Sequence, residues 1–263
     1  ELKKNYECPV AYFTGTVGGL MAPPPGPTTF EYTEKHGLEV AGLAARAIAA
    51  AEPLKLTPMK VQAQMIYIPV TNRLYRLGLS MRVLRRAGFV STGDPYRKGQ
   101  AMSEKSPGQL LTIETEVARL QLGELSLAAI PGELYPELVY GEFQEPADPA
   151  ADFPEAALEP TIAETLGEEK WMLFGLANDE VGYLIPKRQW DARKPFAYGR
   201  KKSQYGEANS CGPEAAAIVM KGFARCVAGQ QGSLQAAEAS RKDPGGEADP
   251  GAGKAKTGGG KRD

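Results

Sequence analysis

The stretch that most limits what this chain can fold into runs over residues 110–130. Two strand-like apolar runs, 110–122 and 125–130, flank the dipeptide Gly123-Glu124. A two-residue loop with glycine first favours a type II′ turn, whose twist matches that of the strands it joins, so the stretch is expected to be an antiparallel hairpin. Around it, strand and helix signals alternate. Residues 59–70 read as a strand closed by Pro69, and 170–177 as another apolar strand. The short apolar run at 10–14 reads as a buried strand that feeds a Gly-rich loop. Thr28 and Thr29 offer N-caps to a helix through Ala51, and 73–87 reads as a basic amphipathic helix stopped by Gly88. A last helix is expected over 214–227, just after Gly212-Pro213. The Pro- and acid-rich stretch 142–159 suits an irregular surface loop, and no internal repeat is visible. This order of elements predicts a mixed α/β (α+β) fold, with a mixed sheet and flanking helices.

Charge narrows the function. Thirty-one Lys and Arg nearly balance thirty-two Asp and Glu, so no strong field is available to capture nucleic acid. No apolar run approaches the roughly 18 residues of a membrane span, and the first residues hold no signal-peptide core. The chain starts at Glu1 rather than Met, which suggests processing or a fragment. Cys8, Cys211 and Cys226 lack metal-type spacing, and their odd number leaves at least one as a buried thiol. Residues 229–263 carry one sizeable apolar side chain, Leu234, and are expected to be a disordered low-complexity tail. Residues 1–228 then form the folded part.

Three segments place polar groups directly after an apolar strand, where ligands gather in open α/β sheets. Glu133 follows the Pro131-Gly132 turn, and is either a helix-start carboxylate or an oxygen ligand for a metal. Asn178 and Asp179 follow the strand at 170–177 and would ordinarily be turn formers. Beyond them Tyr183 is either a buried aromatic or a second oxygen ligand, since a divalent cation favours the deprotonated phenol. Tyr205, Glu207, Asn209 and Ser210 enter the last helix, and either line a pocket or cap it. The single histidine, His36, sits among charged neighbours and reads as solvated surface, so this chain supplies no multi-histidine site. Val17-Gly18-Gly19 is only a weak phosphate-loop signal, because no Gly-Lys-Ser/Thr follows.

Taken in order, Pro131-Gly132-Glu133, then Gly175-Leu176-Ala177-Asn178 with Tyr183, then Tyr205-Gly206-Glu207 leading to Gly212-Pro213, resemble the motifs of neutral/alkaline ceramidases. The resemblance covers roughly Val10 to Val227 and implies the C-terminal portion of the family's N-terminal catalytic domain. It further implies a zinc-dependent hydrolase of amide bonds, with N-acylsphingosine or a related lipid amide as substrate and a secreted or periplasmic location. Zinc would be held by Glu133, Tyr183 and two histidines from a missing upstream half. Tyr205 would assist at the substrate carbonyl, with Asn178 and Glu207 on the substrate.

One departure matters. The family carries Asn-x-Gly-Asp-x-Ser-Pro with a serine proposed to act at the carbonyl. Here Ala22 stands at the expected serine and Leu20 at the aspartate. Alanine has no hydroxyl, so attack would fall to water activated by the metal. A rival reading is a non-catalytic binding protein that keeps the pocket; Ala22 favours it, and retention of Glu133 and Tyr183 speaks against it.

Overall fold

The computed structural model describes residues 1–19, 26–103, 108–167 and 170–229. The chain divides into Glu1–Gly232 and Ser233–Asp263. The second unit lies outside the described residues, and with it all but the first residue of the expected tail. Ala22 and Leu20 lie outside them as well.

The helices are α1 (Leu2–Tyr6), α2 (Phe30–Ala49), α3 (Arg73–Ser80), α4 (Pro136–Tyr140), α5 (Ile162–Leu166), α6 (Tyr205–Ala208) and α7 (Ala215–Val227). The strands are β1 (Met59–Pro69), β2 (Gly88–Val90), β3 (Leu111–Leu122), β4 (Leu125–Ala129), β5 (Glu133–Leu134), β6 (Lys170–Phe174) and β7 (Tyr183–Leu184). The fold is mixed α/β, with a mixed sheet and flanking helices. Its main sheet has the order β1-β3-β4-β6, antiparallel except for the parallel pair β4-β6, and β2 also pairs with β3.

The hairpin at Gly123-Glu124 is present, with Leu122 opposite Leu125. Gly123 has φ 53° while Glu124 stays out of the left-handed region, the sign pattern of a II′ turn. Helix α7 lies on β1 and β3, where Val219 and Phe223 pack with Ile66, Ile68, Ile113 and Val117 in a fully buried cluster. Cys211 and Cys226 are buried free thiols and Cys8 is an exposed one.

Strand β3 has two neighbours on one edge: β4 along Ala118 to Leu122 and β2 along Leu111 to Ile113. Neither strand covers residues 114–117 on that side, and other groups do. Arg86 Nη2 donates to the Glu114 carbonyl at 2.7 Å, Thr115 Oγ1 donates to Asp179 Oδ2 at 2.7 Å, and Asn178 Nδ2 donates to Glu116 Oε1 at 3.1 Å. The sheet therefore draws the loop after β6 toward itself.

Three expectations change. Residues 10–14 form no strand: Tyr12 is 84% exposed, and the segment meets the sheet only where Phe13 stacks on Phe174 at 4.4 Å and Thr14 accepts from the Gly175 N–H. The segment lies beside the outer edge of β6 but makes only this one backbone bond there, and with no layer over Tyr12 it does not become a buried strand. The helix expected over 73–87 stops at Ser80. Arg82 turns the chain at φ 57°, and Arg86 is committed to β3. Strand β6 ends at Phe174 because Leu176 and Asn178 adopt left-handed φ of 54° and 67°. Helix α2 starts where expected, with Thr29 Oγ1 accepting from the Tyr32 N–H at 3.2 Å, but it buries no residue. No helix among the described residues is long and apolar enough to cross a membrane.

Candidate active site

Past the ends of β4 and β6 the chain forms a second, smaller sheet from β5 and β7, which run parallel with Glu133 opposite Tyr183 and Leu134 opposite Leu184. Side chains alternate along a strand. Leu134 and Leu184 are fully buried in the core, while Glu133 and Tyr183 are half-buried and line a cavity of about 780 Å³. The ledge extends on both sides: the Gly18 N–H donates to the Leu134 carbonyl at 2.7 Å, and the Tyr183 N–H to the Asn209 carbonyl at 2.9 Å. The three polar segments singled out in the sequence thus meet along one strip of backbone.

Glycine makes that approach possible. A Cβ on Gly132 would lie 2.6 Å from the Gly182 carbonyl oxygen, and one on Gly182 would lie 2.2 Å from the Asn209 carbonyl oxygen. Gly182 also has φ 90°, which L side chains rarely adopt.

The Tyr183 ring meets Tyr205 edge-on at 5.7 Å and Tyr135 edge-on at 6.5 Å. Burial pushes its phenol up to about 12, aided by the Glu133 carboxylate opposite it. Tyr205 is 71% exposed on the cavity's wall. Between the motifs stands a carboxylate that sequence reasoning missed. Glu180 lines the same cavity, and burial first, then the charges of Glu133 and Asp179, push it up to about 7 against the pull of the Gly182 N–H and Arg86. In the sequence it is one of two adjacent acids in a turn, and nothing marks it.

Asp179 is held differently. Both guanidinium nitrogens of Arg86 reach its two carboxylate oxygens, and Thr115 adds a third donor. Burial raises the Asp179 carboxyl, but these hydrogen bonds and the Arg86 charge outweigh it and hold the group below its ordinary range. A depressed folded pKa contributes stability that is present above the unfolded value, about 3.9, and is lost as pH falls through the folded value. Asp179→Asn is expected to cost about 2 kcal/mol at neutral pH, the scale for charge-assisted hydrogen bonds. In urea titrations from pH 7 to 2 the gap to the parent should close below about pH 4. A gap independent of pH would show that the ion pair is not its source.

The other candidates go elsewhere. Asn178 is bonded to Glu116 and does not line the large cavity. Glu207 is 7% exposed and lines a separate, smaller cavity with Tyr135 and Arg200. His36 sits on α2, 3.4 Å from Glu39.

As a place for zinc, this donor set is half of what four-coordination needs. Glu133 and Tyr183 offer two oxygens from paired positions, but no group of three or more His, Cys, Asp or Glu is arranged for a metal among the described residues. The Cys211 thiol, also on the cavity, is kept protonated by burial and is bonded to the Val181 carbonyl. The described side chains do not complete a zinc centre.

No family model and no curated protein matches the sequence. Among solved structures the chain is similar to a neutral ceramidase from Pseudomonas aeruginosa, with 14% identity and a TM-score of 0.42. That match covers 81% of this chain and spans 35% of the ceramidase's length.

Proposed function

We propose that this chain is part of a ceramidase-like, zinc-dependent hydrolase of amide bonds, which acts outside the cytoplasm on N-acylsphingosine or a related lipid amide. The observation that carries the reading is the placement of Glu133 opposite Tyr183 on parallel strands, both open to one cavity with Tyr205 on its wall. A helix-start carboxylate and a core tyrosine would require no such convergence. The order of the three sequence motifs supports the same reading.

Zinc would be held by Glu133 and Tyr183, with two histidines supplied by polypeptide outside these residues. Bound there, zinc would supply Lewis acidity toward the substrate carbonyl and lower the pKa of water. The chain's own groups do the positioning. Glu133 stands opposite Tyr183, and its carboxylate charge bears on the phenol. Tyr205, exposed on the cavity wall, can turn its hydroxyl toward a carbonyl oxygen as negative charge develops on it. Leu79, Leu84, Phe89 and Ile113 give the same cavity an apolar side suited to an acyl chain.

The test uses the longer protein that includes the upstream polypeptide. Release of fatty acid from N-acylsphingosine is measured together with elemental zinc. Turnover with one zinc per chain, abolished by a chelator and restored by zinc, is the expected result. A protein with neither zinc nor turnover overturns the proposal, and substrate binding without turnover favours the non-catalytic reading suggested by Ala22.

A further inference from the structure

The main sheet leaves part of one outer edge open. Strand β1 stands at the end of the sheet, and among the described strands it pairs only with β3. At either end of it the Gly123 N–H donates to the Pro58 carbonyl at 2.9 Å and the Val70 N–H to the Leu111 carbonyl at 2.9 Å, so even-numbered residues turn their backbone groups toward β3. In an antiparallel ladder the odd-numbered residues between them face outward. Tyr67 agrees, since its N–H donates away from β3 to the Pro95 carbonyl at 2.8 Å. Pro69, with no N–H to expose, closes the same end of the edge. The other end is open: among the described residues the N–H groups of Met59, Val61, Ala63 and Met65 have no backbone partner. Met59 and Val61 are 68% and 64% exposed.

An open strand edge is a template for another strand, and proteins block such edges with charge, proline or a bulge. None of these guards Met59 to Met65. The register with β3 is unbroken, no proline intervenes, and the one charged residue, Lys60, lies on the face that α7 covers. Gln62 marks that face, because its Nε2 donates to the Cys226 carbonyl at 3.0 Å. The opposite face carries Met59, Val61, Ala63 and Met65, all apolar.

The pattern complements itself. A second β1 laid antiparallel and centred on Gln62 sets Val61 opposite the partner's Ala63 and Met59 opposite the partner's Met65, so each outward N–H meets an outward carbonyl. On the α7 face Lys60 falls opposite the partner's Gln64, and no like charges meet. The same surface serves both copies, as a two-fold interface requires. There is room for the copy at the closed end too. Before Met59 the chain turns toward the β3–β4 turn, where the Lys55 carbonyl accepts from the Glu124 N–H at 2.9 Å, so the copy leaves the edge before it meets the loop that holds Tyr67.

We propose that β1 is a dimerisation edge, on which a second copy of this chain pairs antiparallel about Gln62 and continues the main sheet. The inference does not depend on the zinc reading of the cavity.

The test is sedimentation of the full chain over a dilution series, in which a reversible dimer is expected. Val61→Pro removes an N–H that has no backbone partner within the protomer. The ladder to β3 survives, so circular dichroism should hold while the dimer weakens at least about tenfold, each copy having lost one hydrogen bond. A second variant fixes the register. Opposed residues of a non-hydrogen-bonded antiparallel pair have Cα atoms about 4.5 Å apart, within reach of a disulfide. Gln62→Cys, made together with Cys8→Ser to remove the exposed thiol, should therefore form a disulfide-linked dimer on mild oxidation. A chain that stays monomeric at every concentration overturns the proposal. So does a dimer that Gln62→Cys fails to cross-link, or one that a folded Val61→Pro chain keeps at full strength. Should Val61→Pro not fold, the cross-link alone decides.

Discussion

Replacing Gly182 with alanine is expected to cost about 4 kcal/mol, from the sum of a disfavoured backbone conformation at 1–3 kcal/mol and overpacking at 1–3 kcal/mol. The φ of 90° sets the first cost. The second arises because the new Cβ would lie 2.2 Å from the Asn209 carbonyl oxygen and 2.9 Å from the Tyr75 hydroxyl. The tyrosine can rotate, but the carbonyl cannot move freely, since it accepts the Tyr183 N–H. Relief therefore means separating β7 from the segment at Asn209, which would displace Tyr183 from Glu133. Against a total stability of about 5–15 kcal/mol, such a loss is visible as a large drop in the urea midpoint. A variant within about 1 kcal/mol of the parent, small beside the expected range, would show that the strip of backbone under the site is not rigid.

What the sequence made legible follows from the range of the forces involved. The Gly123-Glu124 hairpin, β1 and α7 are specified by local chemistry: a turn glycine, strand-forming runs, and an apolar face that α7 lays on Ile66 and Val117. Misreadings fall where a distant partner decides. Residues 10–14 have strand composition, yet beside the outer edge of β6 they find one backbone partner and no layer to cover them. Residues 73–87 have a helical pattern, yet Arg86 is drawn off to fill the gap in β3 between β2 and β4.

The site divides in the same manner. Glu133, Tyr183 and Tyr205 were marked by ordered motifs and stand together on one cavity. The strands that join them, β5 and β7, are two residues long, too short for any periodicity to show. Glu180 carries no motif, because its environment comes from burial and from Glu133 on another strand. Glu207 belonged to the third motif, but the turn of α6 carries it to the far cavity while Tyr205, two residues before, stays at the first. On one turn of helix, residues two apart point to different sides.

The pairing of Glu133 with Tyr183 permits a test that separates a working pair from two neighbours. In the longer protein, Glu133→Gln and Tyr183→Phe are each expected to lower amide hydrolysis by at least about 100-fold, the upper end of the loss seen when groups that merely support a metal ligand are removed. Zinc content should fall in parallel. The double variant should be little worse than either single one, because groups that act as a unit lose the function once. The same substitutions in this chain give a readout that needs no metal. The two half-buried side chains stand opposite each other, with the Glu133 charge bearing on the phenol, so their effects on unfolding free energy should be non-additive by about 1 kcal/mol in a double-mutant cycle. Coupling without loss of zinc or turnover would leave the pair structural and remove the catalytic reading. Loss of zinc and turnover without coupling would keep that reading and deny that Glu133 acts on Tyr183 before the metal is bound.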